Sequence, residues 1–129
     1  LYNYENYQPP MRLFLNNFMQ KHRKLNILKH EELKTIFEKV VYLINETIGN
    51  KAFRLTKSLN AAVYDAVMVG LAKRLMESFV SDKKAFSDAY SKLLVDKDFL
   101  SNIETGTTAQ TNSVKNRIQE AITAFKTLK

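Results

Sequence analysis

The chain has 129 residues, and its twenty Lys and Arg outnumber thirteen Asp and Glu, which gives a formal net charge of +7. It contains no cysteine, so a disulfide framework, a cysteine-based zinc site and a cysteine nucleophile are excluded. The length suits one domain, and no stretch reaches the ~18 consecutive apolar residues that indicate a membrane span.

The positive charge is the kind of imbalance that favours a polyanionic partner such as nucleic acid. The basic residues are scattered among acidic ones, however, which also fits an ordinary solvated surface. No signal peptide is visible in the polar and aromatic start of the chain. We therefore expect a cytoplasmic protein and, because the chain begins with Leu rather than Met, a piece of a longer one.

Apolar residues at helical spacing predict helices along nearly the whole chain. The first helix starts at Pro9-Pro10, since proline suits a first helical turn, and it ends near Lys24. After a loop over residues 25–29, the second helix runs from about His30 to Ile48, and Gly49 suits a left-handed C-cap. The predicted apolar stripes are Met11, Phe14, Leu15, Phe18, Met19 and His22 in the first helix, and Leu33, Ile36, Phe37, Val40, Val41, Ile44 and Ile48 in the second.

The third helix, from Asn60 to Phe79, is apolar on nearly every side, and a helix of that kind must be surrounded by other protein. Its N-cap is Ser58 or Asn60. Gly70 in its middle costs about 1 kcal/mol relative to Ala and allows a neighbouring helix to approach closely. The sequence therefore predicts a central apolar helix.

The fourth helix starts after Ser81-Asp82, a short extra turn spans Asp96 to Ile103, and a polar loop runs from Glu104 to Thr111. The last helix extends from about Asn112 to Leu128. No segment with a period of two is long enough to form a strand. The expected fold is all-α, an irregular bundle of about five helices in a single domain over residues 1–129.

No complete catalytic constellation is visible, and no residue is assigned a catalytic role. His22 and His30 have no Asp, Glu or Cys at a ligand spacing around them, so no metal site is expected.

Glu46 and Asp65 lie on adjacent predicted helices and could form a carboxylate pair for acid–base work. The alternative is that Asp65 forms a buried ion pair with Arg54, Lys57 or Arg117, because buried charges are normally paired.

A first candidate for nucleic-acid binding is the basic segment with Lys51, Arg54 and Lys57, which leads to a helix N-terminus, where anions bind well. The alternative is that Arg54 pairs with an internal carboxylate while Phe53 anchors the loop.

A second candidate consists of Thr108, Lys115 and Arg117, at the end of the polar loop and in the helix that follows. Hydroxyl and backbone N–H groups there could contact phosphate oxygens without reading bases. The alternative is ordinary helix capping by Thr111, Asn112 or Ser113.

The N-terminal tyrosines Tyr2, Tyr4 and Tyr7 could stack on bases or pack against a preceding domain.

Three segments carry a family resemblance. The first is Tyr7-Gln-Pro-Pro-Met-Arg-Leu-Phe-Leu-Asn-Asn-Phe-Met-Gln-Lys-His-Arg-Lys24. The second is Gly49-Asn-Lys-Ala-Phe-Arg54 followed by Leu59-Asn-Ala-Ala-Val-Tyr-Asp-Ala-Val-Met-Val-Gly-Leu-Ala72, and the third is Thr108-Ala-Gln-Thr-Asn-Ser-Val-Lys-Asn-Arg-Ile118. In this order they resemble segments of GmrS-like proteins. These are bacterial proteins whose N-terminal half is a ParB-like nuclease domain. They include the GmrSD-type, modification-dependent (type IV) restriction enzymes that act against phage DNA.

The resemblance implies that the chain is the α-helical C-terminal part of such a protein. The full-length parent protein would then resemble a nuclease or NTPase. The family's Asp-Gly-Gln-Gln-Arg segment and the His-Asn-His domain of some members are absent from this sequence. No catalytic role or cofactor is therefore carried over, and Arg54 and Arg117 are the positions of interest.

The expected function is that of an accessory domain that supports the upstream nucleotide-dependent nuclease domain and contacts DNA. The expected partners are its own ParB-like domain, DNA and a second copy of the chain, with no membrane partner. The alternative is a structural or oligomerisation module without nucleic-acid contact, marked by a Lys51, Arg54 and Lys57 cluster buried in ion pairs and by a large apolar surface patch.

Overall fold

The computed structural model of the chain describes residues 3–24, 29–104 and 108–129, and this part is helical without strands. The helices are α1 (Met11–Lys21), α2 (His30–Thr47), α3 (Ala61–Glu77), α4 (Lys83–Leu93), α5 (Lys97–Ser101) and α6 (Thr111–Phe125). Short 3-10 turns cover Tyr4–Asn6 and Gly49–Lys51. The expected all-α bundle of about five helices is confirmed, with α5 as the short extra turn. Residues 25–28 and 105–107 of the predicted loops lie outside the described residues.

Side-chain caps start three of the helices, because the first backbone N–H groups of a helix have no partner within it. Asn60 accepts hydrogen bonds from two N–H groups of α3 at 2.9 and 3.1 Å. Asp82 caps α4 at 2.8 Å, and Asp96 caps α5 at 3.0 and 2.9 Å. After α2, Gly49 adopts a φ of +62°. The predicted caps Asn60 and Gly49 and the predicted start of the fourth helix after Asp82 are confirmed.

Helix α3 is the centre of the core, as predicted. The buried residues of α3 are Ala62, Val63, Ala66, Val67, Gly70, Leu71, Ala72, Arg74 and Leu75. All of these except Gly70 and Arg74 join one hydrophobic cluster with buried residues of α2, α4, α5 and α6. The C-terminal end of the predicted apolar helix is not covered by other elements, since Met76 and Phe79 are exposed.

Helices α3 and α6 run in the same direction and touch closely. A Cβ atom built on Gly70 would lie 2.8 Å from the backbone carbon of Ala121, so the glycine permits the predicted close approach. Successive contacts along the pair are Asp65 with Arg117, Gly70 with Ala121, and Arg74 with Leu128. The N-termini of α3 and α6 therefore lie at the same end of the bundle.

Helix α1 lies at the margin of the bundle and contains no buried residue. Met11 and Phe14 are packed partly against the core, and the Phe14 ring meets the Tyr7 ring edge-on with centroids 5.2 Å apart. Leu15 and Met19 of the predicted stripe are exposed. The apolar stripe predicted for α1 is therefore only partly covered, because only one edge of the helix reaches the core.

Helix α2 buries Ile36, Val40, Leu43 and Ile44. Phe37 and Val41 belong to the predicted stripe but are exposed. The apolar side of α2 is thus wider than the surface that covers it. None of the described helices is long and apolar enough to cross a lipid bilayer.

Candidate nucleic-acid interface

The connection between α2 and α3, residues 49–60, is a compact loop anchored by Phe53. This residue has a φ of +61°, which is uncommon outside glycine. Its N–H donates to the Tyr90 hydroxyl at 2.8 Å, and its carbonyl accepts from the N–H of Asn60 at 2.8 Å. Its ring contacts that of Tyr64, with centroids 4.8 Å apart. Phe53 therefore anchors the loop, as one of the two interpretations predicted.

Arg54 braces the same loop through main-chain carbonyls. Its Nε donates to the carbonyl of Asn50 at 3.2 Å, and a terminal nitrogen donates to the carbonyl of Lys57. An isolated antiparallel bridge also joins Arg54 to Leu59. The expected internal carboxylate partner for Arg54 is wrong; the guanidinium is exposed and closes the loop on itself.

Lys51 and Lys57 are exposed on this braced loop. The salt bridges between described residues involve other side chains. The N-terminus of α3 beside them is already occupied in part, because the Asn60 side chain takes two of its N–H groups. The cationic side chains, more than the helix start, are thus the groups this loop offers to an anion.

Arg117, in the second candidate segment, has a 2% exposed side chain and is fully engaged. Its Nε and one terminal nitrogen donate to the two carboxylate oxygens of Asp65 at 3.0 and 2.6 Å. The other terminal nitrogen donates to the carbonyl of Thr108 at 2.6 Å. The predicted ion pair of Asp65 is confirmed, with Arg117 as its partner. Glu46, the other carboxylate of the hypothetical pair, faces Lys83 at 3.4 Å.

The start of α6 differs from the predicted capping. The helix begins at Thr111, its N-cap is Gln110, and the Gln110 side chain makes no cap hydrogen bond. The expectation that Thr111, Asn112 or Ser113 acts as the N-cap is therefore wrong. Lys115 is half-buried in the first turns of α6.

Tyr7 belongs to the same region, which the sequence did not indicate. It is fully buried, and its hydroxyl donates to the carbonyl of Ala109 at 2.6 Å. Burial raises the pKa of Tyr7, while the nearby charge of Arg117 opposes that rise. Neither base stacking nor contact with a missing domain describes this residue: it packs inside its own chain. Tyr2 lies outside the described residues.

Both candidate segments converge at one end of the molecule. The N-terminus of α3 lies about one helical turn before Asp65, and that of α6 less than two turns before Arg117. Since α3 and α6 are parallel, the positive ends of both helix dipoles point the same way. We call this region, with Lys51, Arg54, Lys57, Lys115 and the two N-termini, the basic end.

Outside the basic end, we find no active-site arrangement of titratable groups among the described residues. No group of three or more His, Asp or Glu in the described part of the chain could hold a metal ion. His22 stacks on the Phe18 ring with centroids 4.4 Å apart, and His30 contacts the adjacent Glu31 at 3.0 Å.

An acidic cleft of about 710 Å³ opens between α4, α5 and α6, and Glu120 is its most perturbed group. Burial raises the pKa of Glu120, as do Asp96 and Asp98 nearby, while a hydrogen bond from Asn102 at 3.1 Å opposes the rise. Among the described lining residues, the Thr123 hydroxyl donates to the carbonyl of Gln119 rather than to a carboxylate. Sequence reasoning missed Glu120 because its desolvation depends on packing between distant helices.

Comparison of the chain with protein-family models, with curated proteins and with solved structures gave no match. The resemblance to GmrS-like proteins is therefore carried by three sequence segments and their order. The geometry of the basic end is the independent observation from which a function is argued.

Proposed function

We propose that the chain is a helical accessory domain of a GmrS-like bacterial restriction or anti-phage defence protein. In this role it supports the upstream nucleotide-dependent nuclease domain and contacts DNA phosphates with its basic end. The observation that carries the DNA contact is the braced loop, in which Phe53 and Arg54 hold the backbone while Lys51 and Lys57 stay exposed.

The candidate residues have different roles in this proposal, according to whether their side chains are exposed or buried. Lys51 and Lys57 are exposed ammonium groups, which bind phosphate as point charges and carry no base preference. Arg54 holds the shape of the loop. The Arg117 guanidinium is fully hydrogen-bonded to Asp65 and to the carbonyl of Thr108. In this proposal it therefore positions the segment before α6 and does not touch DNA.

Duplex DNA binding across a salt series tests the proposal. Neutralising Z phosphates gives a slope of about −0.9Z in a plot of log affinity against log salt concentration. The double variant Lys51→Ala/Lys57→Ala should therefore flatten the slope by about 2 and weaken binding for all sequences alike. The matched control is Lys39→Ala/Lys126→Ala, which removes two exposed lysines elsewhere.

Two results would overturn this proposal. Absence of binding at low salt would remove the DNA contact of this domain, and equal effects of the two double variants would assign any binding to net charge alone. A parent gene without a ParB-like domain upstream would remove the family assignment.

The second candidate function is an oligomerisation module without nucleic-acid contact. The observation that favours it is the exposure of large apolar side chains, among them Leu15, Met19, Phe37 and Tyr42. Its expected sign of a buried basic cluster is contradicted, because Lys51, Arg54 and Lys57 are exposed rather than buried in ion pairs. Sedimentation velocity over a range of concentrations distinguishes the two candidates: a stable dimer that does not bind DNA supports the second.

A further inference from the structure

An apolar groove of about 450 Å³ runs between α2 and α3. Its walls are Leu33 and Phe37 of α2 and Tyr64, Met68 and Val69 of α3. We call these five residues the α2/α3 groove. Phe37 is 54% exposed and Tyr64 39%, so the groove presents large apolar side chains to its surroundings.

The groove continues towards α1 across Val69. This residue also lines a smaller cavity of about 180 Å³, to which α1 contributes Leu15 and Phe18. An isolated helix as short as α1 is marginal in water, and α1 buries none of its residues here. A ligand bound in the groove could therefore also contact the uncovered apolar side of α1.

The charged residues that line the α2/α3 groove itself have one sign, whereas the smaller cavity beside it includes Asp65, which is paired with Arg117. The ionisable residues that line the α2/α3 groove are His30 and Lys34, and none is acidic. The sequence from residue 8 to residue 24, which includes α1, holds the cations Arg12, Lys21, Arg23 and Lys24 and no Asp or Glu. Glu31, which contacts His30, does not line the groove.

We propose that the α2/α3 groove binds an amphipathic helix of a partner protein, with acidic residues flanking its apolar face. A helix places apolar anchors at positions i, i+3, i+4 and i+7, the spacing that a groove between two helices accepts. Acidic flanks would complement Lys34 and the cations of α1.

Other occupants fit less well. A second copy that packs groove to groove would bring Lys34 and the α1 cations against like charges, which is unfavourable. A lipid surface is attracted to basic amphipathic helices, but a flat bilayer does not reach the walls of a concave groove. The observations thus favour a separate helix of opposite charge.

The test uses three designed helical peptides with one apolar face and flanks of Glu, Gln or Lys, titrated by fluorescence anisotropy. Affinity should fall in that order, by about two- to fivefold for each exposed charge pair. Phe37→Ser should weaken binding of the Glu peptide by about tenfold or more, as expected for an aromatic anchor. The matched control is Phe79→Ser, since Phe79 is 76% exposed and does not line the groove.

Lys34→Glu provides a second measurement that does not depend on the anchor. It should narrow or reverse the preference for the Glu peptide over the Lys peptide. Circular dichroism confirms that each variant remains folded, and unchanged DNA binding by Phe37→Ser separates this surface from the basic end.

Several outcomes would overturn the proposal. These are no saturable binding of the Glu peptide, equal binding of all three peptides, or equal loss with Phe37→Ser and Phe79→Ser. Dimerisation abolished by Phe37→Ser would assign the groove to a second copy. Binding to anionic phosphatidylglycerol vesicles that needs Leu15 but not Phe37, without peptide binding, would assign the surface to lipid.

Discussion

Arg117 and Asp65 form a doubly hydrogen-bonded ion pair whose halves differ in burial: the Arg117 side chain is 2% exposed and that of Asp65 is 34% exposed. The third guanidinium nitrogen donates to the carbonyl of Thr108. The pair therefore joins α3, α6 and the chain that precedes α6. The buried cation depends on Asp65, whereas Asp65 can be hydrated in part.

This asymmetry predicts unequal effects of breaking the pair from its two sides. Asp65→Asn should lower the free energy of unfolding by about 3 kcal/mol, because it leaves a buried guanidinium without its counter-charge. Arg117→Met should lower it by only about 1–2 kcal/mol, since the remaining carboxylate reaches water. Urea denaturation measures both, and equal losses would contradict the difference in burial.

The contact between Gly70 and α6 predicts that a better helix former destabilises the protein. Gly70→Ala gains about 1 kcal/mol of helix propensity, but the new Cβ would lie 2.8 Å from the backbone of Ala121. Overpacking of this kind costs about 1–3 kcal/mol, so we expect a net loss in thermal or urea denaturation. Asn116→Ala, at an exposed site on α6, is the control and should be neutral or slightly stabilising. A stabilised Gly70→Ala variant would mean that α3 and α6 lie further apart.

Tyr90 is expected to hold the loop of residues 49–60 through the N–H of Phe53. Tyr90→Phe leaves that N–H without its acceptor and should cost about 1–2 kcal/mol. Amide hydrogen exchange should quicken in the loop more than in α3. Tyr42→Phe removes a hydroxyl from a 62% exposed side chain and should change neither quantity. Unchanged exchange in Tyr90→Phe would show that the loop is held by other contacts.

Glu120 predicts a pH dependence of stability. Burial, with Asp96 and Asp98, raises its pKa above the ordinary value of 4.5, so the folded state binds the proton more tightly than the unfolded state. Protonated Glu120 therefore contributes to folding stability at pH values below the ordinary pKa of 4.5. This contribution is lost as the pH rises through the raised pKa of the folded state.

Replacement of Glu120 by Gln should remove this dependence. At neutral pH, the unfolding free energy of Glu120→Gln should be higher than that of the parent protein by roughly 0.5 kcal/mol, which is the usual gain when repulsion between neighbouring like charges is removed. The difference should vanish at about pH 4, near the ordinary pKa of a carboxyl group. Asp88→Asn, in the same cleft but paired with Lys84 at 3.0 Å, is the control. A difference that is constant with pH would contradict the raised pKa.

Local features of the fold follow directly from neighbouring residues. Asn60 and Asp82 start α3 and α4 because a short polar side chain can reach N–H groups two or three residues ahead. Gly49 ends α2 because the left-handed conformation has no steric cost for glycine. These interactions span one turn, so a pattern of residue types is enough to predict them.

The candidate site was less predictable. The sequence left Asp65 with Arg54, Lys57 or Arg117 as its partner, and these charges are equivalent until the helices are paired. The parallel packing of α3 and α6 then buries Arg117 against Asp65 and leaves Arg54 to close its own loop. Tyr7 and Glu120 were missed for the same reason, since their burial comes from residues far away in the chain.

The sequence by itself determined that the protein is a helical bundle, where its helices begin and end to within a few residues, and that α3 is central, because helical period and capping act over a few residues. Only the tertiary structure decided which apolar side chains stay uncovered and which cations remain exposed. Burial is a property of the surface that another element covers. The residues next to Phe37 and Lys51 in the sequence therefore do not show that these two side chains are exposed.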